Sequence, residues 1–166
     1  MTEISEGETT LERLSAEECH ALLETIPIGR IVFTENALPA IQPVNFVLDG
    51  TDIVVRTRRG SKLVAAAHHA VVAFEVDDYD PDLRTGWSVV LIGRARVVRD
   101  EGELEHLRRL PLATWATGDR PHFIKVEPNM VRGRRLRRVG THPPAAGERS
   151  PQVEQSRDGQ DPSAPR

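Results

Sequence analysis

The hydrophobic pattern of the chain predicts a protein made mainly of β-strands. Two β-rich runs meet at Asp49-Gly50, and apolar residues on both sides of an Asp-Gly pair are a strong hairpin signal. We expect both central residues of this turn to have positive φ, as the favoured hairpin turn requires. Further runs rich in valine, isoleucine and phenylalanine bring the predicted strands to six. They cover residues 29–34, 39–48, 52–57, 70–76, 87–98 and 121–128.

Helical spacing and capping signals predict three short helices, over residues 15–25, 62–69 and 100–110. Ser15 and Glu18 fit a capping box, in which the serine accepts from the first N–H groups and the glutamate reaches back. The acid-rich stretch 77–82 lacks the glycine and glutamate positions of a calcium-binding helix-loop-helix site. We therefore expect a solvated loop there.

Composition indicates one folded domain. The chain has 166 residues, of which 39% are hydrophobic, and this is enough for one modest core. From residue 141 onward Pro, Gly, Ser, Gln and charged residues dominate, so that stretch cannot bury enough apolar surface to order itself. We expect a disordered acidic N-terminal arm over residues 1–14, the domain over 15–139 and a disordered tail over 140–166.

Charge and hydropathy exclude several classes of partner. No apolar run approaches the roughly 20 residues that span a bilayer, and the acidic start lacks the basic and apolar regions of a signal peptide. We expect a cytoplasmic protein without a membrane partner. Residues 28–139 hold 18 Lys and Arg against 14 Asp and Glu, which is too weakly basic for nucleic-acid binding but suits a small anionic ligand.

The sequence also lacks the motifs of several enzyme classes. Cys19 is the only cysteine, so an internal disulfide or a cysteine zinc cluster is impossible. His68 and His69 are adjacent on a predicted helix and point about 100° apart, unlike the i, i+4 pair of a metal site. No Gly-x-Ser-x-Gly elbow, Walker loop or His-Glu-x-x-His occurs. We therefore expect no metal centre, and we assign no catalytic acid or base.

A cluster of cations follows the third predicted strand. Arg56, Arg58, Arg59 and Lys62 surround Gly60-Ser61, where a helix N-terminus would present free N–H groups to an anion. Thr57 adds a hydroxyl, and the guanidinium of Arg56 suits bidentate phosphate contact. The residue types fit a phosphate site and a plain polar turn about equally well.

An ordered set of motifs resembles the flavin-binding split-barrel family typified by pyridoxamine 5′-phosphate oxidase. The matching pieces run from about residue 15 to residue 138 in the order and spacing of that family. They are Gly29-Arg30-Ile31-Val32-Phe33, Gln42-Pro43-Val44-Asn45-Phe46, Arg56-Thr57, Gly60-Ser61-Lys62 and Gly86-Trp87-Ser88, the last leading into a strand that ends in Gly93-Arg94-Ala95.

The resemblance implies a fold, a cofactor and an assembly. The fold is a six-stranded split β-barrel with flanking helices, and the cofactor is FMN, bound in two grooves of a homodimer. By this resemblance Pro43, Val44 and Asn45 line the flavin ring through main-chain groups. The FMN phosphate falls to Arg56, Thr57, Ser61 and Lys62, and Trp87 and Ser88 reach the flavin of the partner subunit.

The function implied is an FMN-dependent oxidoreduction of a small molecule, with a nicotinamide or similar electron donor. Arg135-Leu136-Arg137 stands where true pyridoxamine phosphate oxidases carry an Arg-x-His pair for their substrate, and this departure argues against vitamin B6 oxidation. Two alternatives remain open. One is a reductase that uses the deazaflavin coenzyme F420, with Arg58 and Arg59 at its acidic tail. The other is a flavin- or haem-binding module without turnover.

Overall fold

The computed structural model describes residues 9–58, 60–61, 63–64, 67, 70–115 and 117–138. Mainly β structure is confirmed, with two helices that can be bounded within these residues. The predicted helix over 62–69 and the predicted tail over 140–166 lie largely or wholly outside the described residues. The elements are β1 (Thr9–Leu14), α1 (Ala16–Leu23), β2 (Ile28–Glu35), β3 (Leu38–Asp49), β4 (Asp52–Thr57), β5 (Val71–Asp80), β6 (Thr85–Val97), α2 (Glu101–Leu107) and β7 (His122–Arg138).

Six of the strands close into a ring, which confirms the predicted six-stranded split barrel. Hydrogen-bonded neighbours follow the order β7-β4-β3-β2-β5-β6, and β6 pairs back to β7. Every ladder is antiparallel. The core lies inside the ring, where Ile31, Ile53 and Phe74 are fully buried. Two aromatic rings meet edge to face in it, with the centroids of Phe46 and Phe74 4.9 Å apart and their planes 70° to each other.

A seventh strand corrects the predicted N-terminal boundary. Residues 9–14 were expected in a disordered arm, but they form β1, which pairs antiparallel with the end of β7 from Thr9 opposite Arg138 to Leu14 opposite Gly133. The sequence of β1 carries little strand signal, because only two of its six residues are apolar, and four of the six are exposed. Its main-chain pairing with β7, rather than burial of side chains, holds it.

Two further strands are longer than their apolar runs. β5 continues through Asp77 to Asp80, so the predicted solvated loop is largely strand, with a short turn at 81–84. β7 runs on from residue 128 through the arginine-rich segment to Arg138. Both extensions pair with β6 along their length, and backbone pairing depends little on the polarity of side chains that face solvent.

The hairpin at Asp49 is confirmed, but its turn is shifted by one residue. Asp49 pairs with Asp52, so the central residues are Gly50 and Thr51, and only Gly50 has positive φ, at 61°. The preceding hairpin between β2 and β3 carries positive φ at both Asn36 and Ala37, where no glycine marks the turn.

The second helix is held to the barrel by a network of charges around Lys125. The Lys125 ammonium lies 2.9 Å from Asp49, 3.1 Å from Asp52 and 3.5 Å from Glu103 of α2, and only 12% of its side chain is exposed. His106, on α2, donates from Nε2 to Asp49 at 2.9 Å. Arg96 forms a bidentate pair with Glu103 at 2.8 and 2.6 Å.

These contacts shift the pKa of two carboxyl groups. The hydrogen bond from His106, followed by that from Lys125, lowers the pKa of Asp49 below its ordinary value. The hydrogen bonds from Arg96 lower the pKa of Glu103 in the same direction, against desolvation. For Lys125 the largest effect is desolvation, which lowers its pKa, but the hydrogen bonds to Asp49 and Asp52 outweigh it and the net change is upward.

We therefore predict an acid-sensitive attachment of α2. Both carboxyl groups have a lower pKa in the folded chain than in the unfolded chain. Their contribution to the free energy of unfolding is therefore present above the unfolded pKa of about 4 and is lost as pH falls through the folded pKa. Replacing Asp49→Asn together with Glu103→Gln should flatten the fall in unfolding free energy between about pH 5 and pH 3. Urea denaturation at each pH measures this.

The exposed Asp119 provides the matched control, since the structure shows no ion pair for it among the described residues. Asp119→Asn should leave the acid dependence unchanged. The same slope in the double variant and in the wild type would show that these two carboxylates do not control acid stability.

Candidate functional site

β3 and β4 separate at the point where the predicted ring contacts begin. Their ladder runs from the Asp49–Asp52 pair to the Phe46–Val55 pair and then stops. Residues 38–45 of β3 pair with β2, and among the described residues no strand pairs with their other edge. Main-chain groups along this edge are therefore open to a ligand.

The three predicted ring residues lie in a row on this open stretch. Pro43 is exposed and pairs with Arg30 of β2, while Val44 is 8% exposed and packs in the core. Asn45 is half-buried and has both ends of its amide engaged: Nδ2 donates to the Pro27 carbonyl at 3.3 Å, and Oδ1 accepts from the Trp115 N–H at 2.9 Å.

The predicted phosphate residues begin across this opening, at the end of β4. Arg56 lies over the ring of Phe123, its guanidinium carbon 5.1 Å from the centroid, and Nε donates to the Arg120 carbonyl at 3.2 Å. Thr57 follows with only 3% exposure. Ser61 accepts a hydrogen bond from the Leu63 N–H at 3.1 Å, in the manner of a helix N-cap. Lys62, like Arg59, lies outside the described residues.

A connecting segment between α2 and β7, residues 115–120, crosses the same end of the barrel. Besides the bond between Asn45 and Trp115, Arg58 donates from Nη2 to the Thr117 carbonyl at 2.9 Å. Arg56 holds the far end of the segment at Arg120. Sequence reasoning missed this segment because its mixture of small and polar residues indicates a loop but not the surface it contacts. A tryptophan within such a stretch was the available signal, and in the structure Trp115 is 68% exposed.

The remaining predicted residues, Trp87 and Ser88, lie on β6, away from the other group. Starting from Pro43, the sheet places Arg30, Glu75 and Val90 on three successive strands. Three strand spacings of about 4.8 Å make roughly 14 Å between β3 and β6. The structure therefore brings Pro43, Asn45 and Arg56 to one region and leaves the β6 pair outside it.

The two β6 residues face opposite sides of the barrel wall. Trp87 is half-buried and packs against the core. Ser88 faces outward and lines a shallow cavity of about 260 Å³ together with Ile92, Met130 and Arg134. Both residues also line a smaller cavity of about 180 Å³ near Tyr79 and Leu136.

An apolar row crosses this outer surface. Ile41, Val32, Ala73, Ile92 and Met130 are direct partners on five neighbouring strands. Directly paired residues of antiparallel strands share one face of a sheet, so the row is continuous. The exposed fractions of Ile41, Ile92 and Met130 are 67%, 37% and 39%. We call this set the outer apolar row.

Charged residues run beside the row. Arg30 pairs with Glu75 at 2.9 Å and with Asp77. The hydrogen bonds to Asp77 and then Glu75 raise the pKa of Arg30 above its ordinary value. The positive charge of Arg30 is therefore balanced by two carboxylates of the neighbouring strand β5.

The comparisons with known proteins agree with this architecture. The family model described as pyridoxamine 5′-phosphate oxidase matches residues 15–135. The chain belongs to this family. An uncharacterized protein of Mycobacterium tuberculosis is 39% identical to this family member over 128 residues, covering 74% of this chain and 84% of the relative.

Solved structures support the same assignment. An FAD binding protein from Mycobacterium smegmatis has a TM-score of 0.68 and is 42% identical to this chain. The match covers 78% of this chain and 100% of the M. smegmatis protein. A conserved protein of unknown function from Corynebacterium diphtheriae has a TM-score of 0.64 and 34% identity, over 75% and 96% of the two chains.

Neither a metal cluster nor a membrane helix occurs in the described part of this family member. Its His, Cys, Asp and Glu side chains form no group of three or more suited to a metal ion. Among the described residues, no helix is long and apolar enough to cross a membrane.

Proposed function

We propose that the chain binds a flavin nucleotide at the opening between β3 and β4 and works as a flavin-dependent oxidoreductase on a small molecule. One observation carries the proposal: the open edge of β3 at Pro43–Asn45 ends beside Arg56, the first of the predicted phosphate residues. Family membership and the FAD binding protein at 42% identity support the flavin.

The residues present fit such a group. The open edge offers main-chain groups to the polar side of a flavin ring, as the resemblance implies for Pro43, Val44 and Asn45. Ser61 accepts one hydrogen bond and still carries a hydroxyl proton to donate to a phosphate. Arg56 is oriented by Phe123 and Arg120, so its fork is fixed before a ligand arrives.

A bound flavin supplies the hydride or electron chemistry, and the chain supplies binding and orientation. FMN is our first choice of cofactor, with FAD favoured next by the related FAD binding protein. Coenzyme F420 is the third, since Arg58 and Arg59 follow the phosphate residues. Vitamin B6 oxidation is not part of the proposal. The two arginines that stand in place of the Arg-x-His pair form ion pairs within the chain, Arg135 with Glu18 at 3.4 Å and Arg137 with Glu12 at 3.5 Å.

We predict that the purified protein absorbs like an oxidised flavin and bleaches when NADPH or NADH is added without oxygen. Bleaching supports an oxidoreductase with a nicotinamide donor, whereas a stable flavin spectrum favours a binding module without turnover. Coenzyme F420 is tested by adding it to the apoprotein. A chain that binds none of FMN, FAD and F420 contradicts the proposal.

We predict that Lys62→Ala weakens FMN binding but not riboflavin binding. Loss of one charge-assisted contact costs about 1.5–3 kcal/mol, roughly a tenfold to hundredfold rise in Kd. Riboflavin has no phosphate, so its Kd should stay the same. Isothermal titration of both ligands measures the two Kd values. Arg56→Ala should likewise raise the Kd of FMN.

The control is Arg94→Ala, because Arg94 is an exposed cation on β6. It should bind both ligands as the wild type does. An equal loss of FMN and riboflavin in Lys62→Ala would give Lys62 a structural role, and no loss of either would place the phosphate elsewhere.

The proposal includes a homodimer in which the outer apolar row covers its counterpart in a second copy. The outer apolar row is continuous, its members Ile41, Ile92 and Met130 are exposed, and Ser88 lies on the same face. Isologous packing of two copies buries the stripe against an identical surface. It also provides a route for Ser88 to reach a flavin bound beside Pro43 of the partner, which it does not approach within its own chain.

We predict a particle of twice the chain mass of 18.5 kDa, and a monomer after Ile92→Glu. A carboxylate at this position would be desolvated in the dimer but solvated in the monomer, so dissociation should be favoured by about tenfold or more. Light scattering at micromolar concentration measures both masses. Leu83→Glu, in the exposed turn between β5 and β6, is the control and should stay dimeric. A wild-type monomer in the presence of FMN would rule the assembly out.

A further inference from the structure

A half-open cavity of about 380 Å³ lies directly beside the proposed flavin site. Its walls come from three places: the end of α1 with the connection to β2, the stretch of β3 after Asn45, and the segment after α2 at Pro111 and Ala113. The volume falls in the range of small-molecule sites.

Asn45 separates this cavity from the proposed ring position. Its Nδ2 donates to the carbonyl of Pro27, which lines one wall. Its Oδ1 accepts from Trp115, two residues beyond Ala113 on the opposite wall. A residue whose main chain is predicted to line the flavin ring therefore holds both walls of the cavity through its side chain.

The cavity also lies on the correct side of the ring for a substrate. Along β3, the predicted ring residues 43–45 are followed by the cavity residues Phe46, Val47 and Leu48. The residues predicted to bind the phosphate begin at Arg56 and continue along the chain, away from the hairpin turn that joins β3 to β4. A flavin with its phosphate at that end directs its phosphate away from the cavity, which leaves the cavity free for a second molecule.

The lining determines what that molecule can be. Eight of the ten lining residues are apolar, and Glu24 is the single charged one among them. The hydroxyl of Thr25, the other polar side chain of the lining, already donates to the Leu22 carbonyl at 2.7 Å, and main-chain groups add further polar surface. With no cation in the wall and a carboxylate at the mouth, an anionic group would be desolvated without compensation.

We propose that this cavity is the substrate site and that the substrate is a small molecule without negative charge. The assignment rests on the proposed flavin function. It narrows that function, because phosphate esters and carboxylates fall outside the class that the lining accepts.

The test uses two probes of one shape, 2-naphthamide and 2-naphthoate, which differ in charge at neutral pH. Equilibrium dialysis measures the binding of each to the flavin-loaded and to the flavin-free chain. The neutral amide should bind at least about tenfold more tightly than the carboxylate. Equal affinity, or tighter binding of the carboxylate, would overturn the proposal.

Two variants locate the probe. Ala113→Phe fills the cavity and should weaken 2-naphthamide binding about tenfold or more while the Kd of the flavin stays within about twofold. Ala21→Phe, the same change at an exposed alanine of α1 outside the cavity, should alter neither. If Ala113→Phe weakens flavin and amide equally, the cavity belongs to the cofactor and the proposal is wrong.

A charge reversal tests the lining without filling the space. Glu24 is the C-cap of α1, its side chain is 63% exposed, and a lysine is compatible with a helix C-terminus. Glu24→Lys should raise the affinity for 2-naphthoate about fivefold or more. No gain in a folded variant would overturn the charge argument.

The two proposals fail in different ways. A chain that binds flavin but not 2-naphthamide loses the substrate site and keeps the proposed function. A chain that binds 2-naphthamide but no flavin overturns the proposed function and, with it, the assignment of the cavity as a substrate site.

Discussion

The pairing of β7 is the constraint on which the rest of the structure depends. One edge of this strand pairs with β6 from Ile124 to Leu136, which closes the barrel. The other edge pairs first with β4 and then with β1. A bulge opposite Ile92 and Gly93 bends the strand between these two partners, and an added Cβ at Gly93 would lie 2.1 Å from the Glu127 carbonyl oxygen. The two partners on this edge occupy successive stretches of β7, with β4 on residues 122–126 and β1 on residues 133–138.

Those strands that carry apolar residues could be predicted from the sequence, whereas those held by backbone pairing could not. β4 appears with the bounds of its apolar run because its side chains are buried on both faces. The end of β7 is rich in arginine and has no such signal. It is nevertheless an inner strand there, because it pairs with β1 on one edge and with β6 on the other. Gly133 also lets α1 approach, with an added Cβ only 2.4 Å from the sulfur of Cys19. Burial raises the pKa of the Cys19 thiol at this contact.

Part of the candidate site was likewise accessible to sequence reasoning. The order of motifs gave the residue types around Pro43–Asn45 and Arg56. It could not give the partners of those residues, because the Arg120 carbonyl and the Trp115 N–H come from a segment more than 55 positions away. Such contacts depend on tertiary placement and have no local pattern. The cavity beside Asn45 was missed for the same reason, since its three walls are distant in sequence.

Asn45 links the two parts of the site physically. An amide side chain donates from its nitrogen and accepts at its oxygen, and Asn45 does both across a gap between two loops. A carboxylate there would repel the Pro27 carbonyl, and an apolar residue would leave the Trp115 N–H without its partner. If a flavin ring lies along this stretch of β3, any shift of Asn45 that accommodates the ring also moves Pro27 and Trp115. The shape of the cavity is then coupled to occupancy of the flavin site, so a substrate enters a pocket whose walls the cofactor has already set.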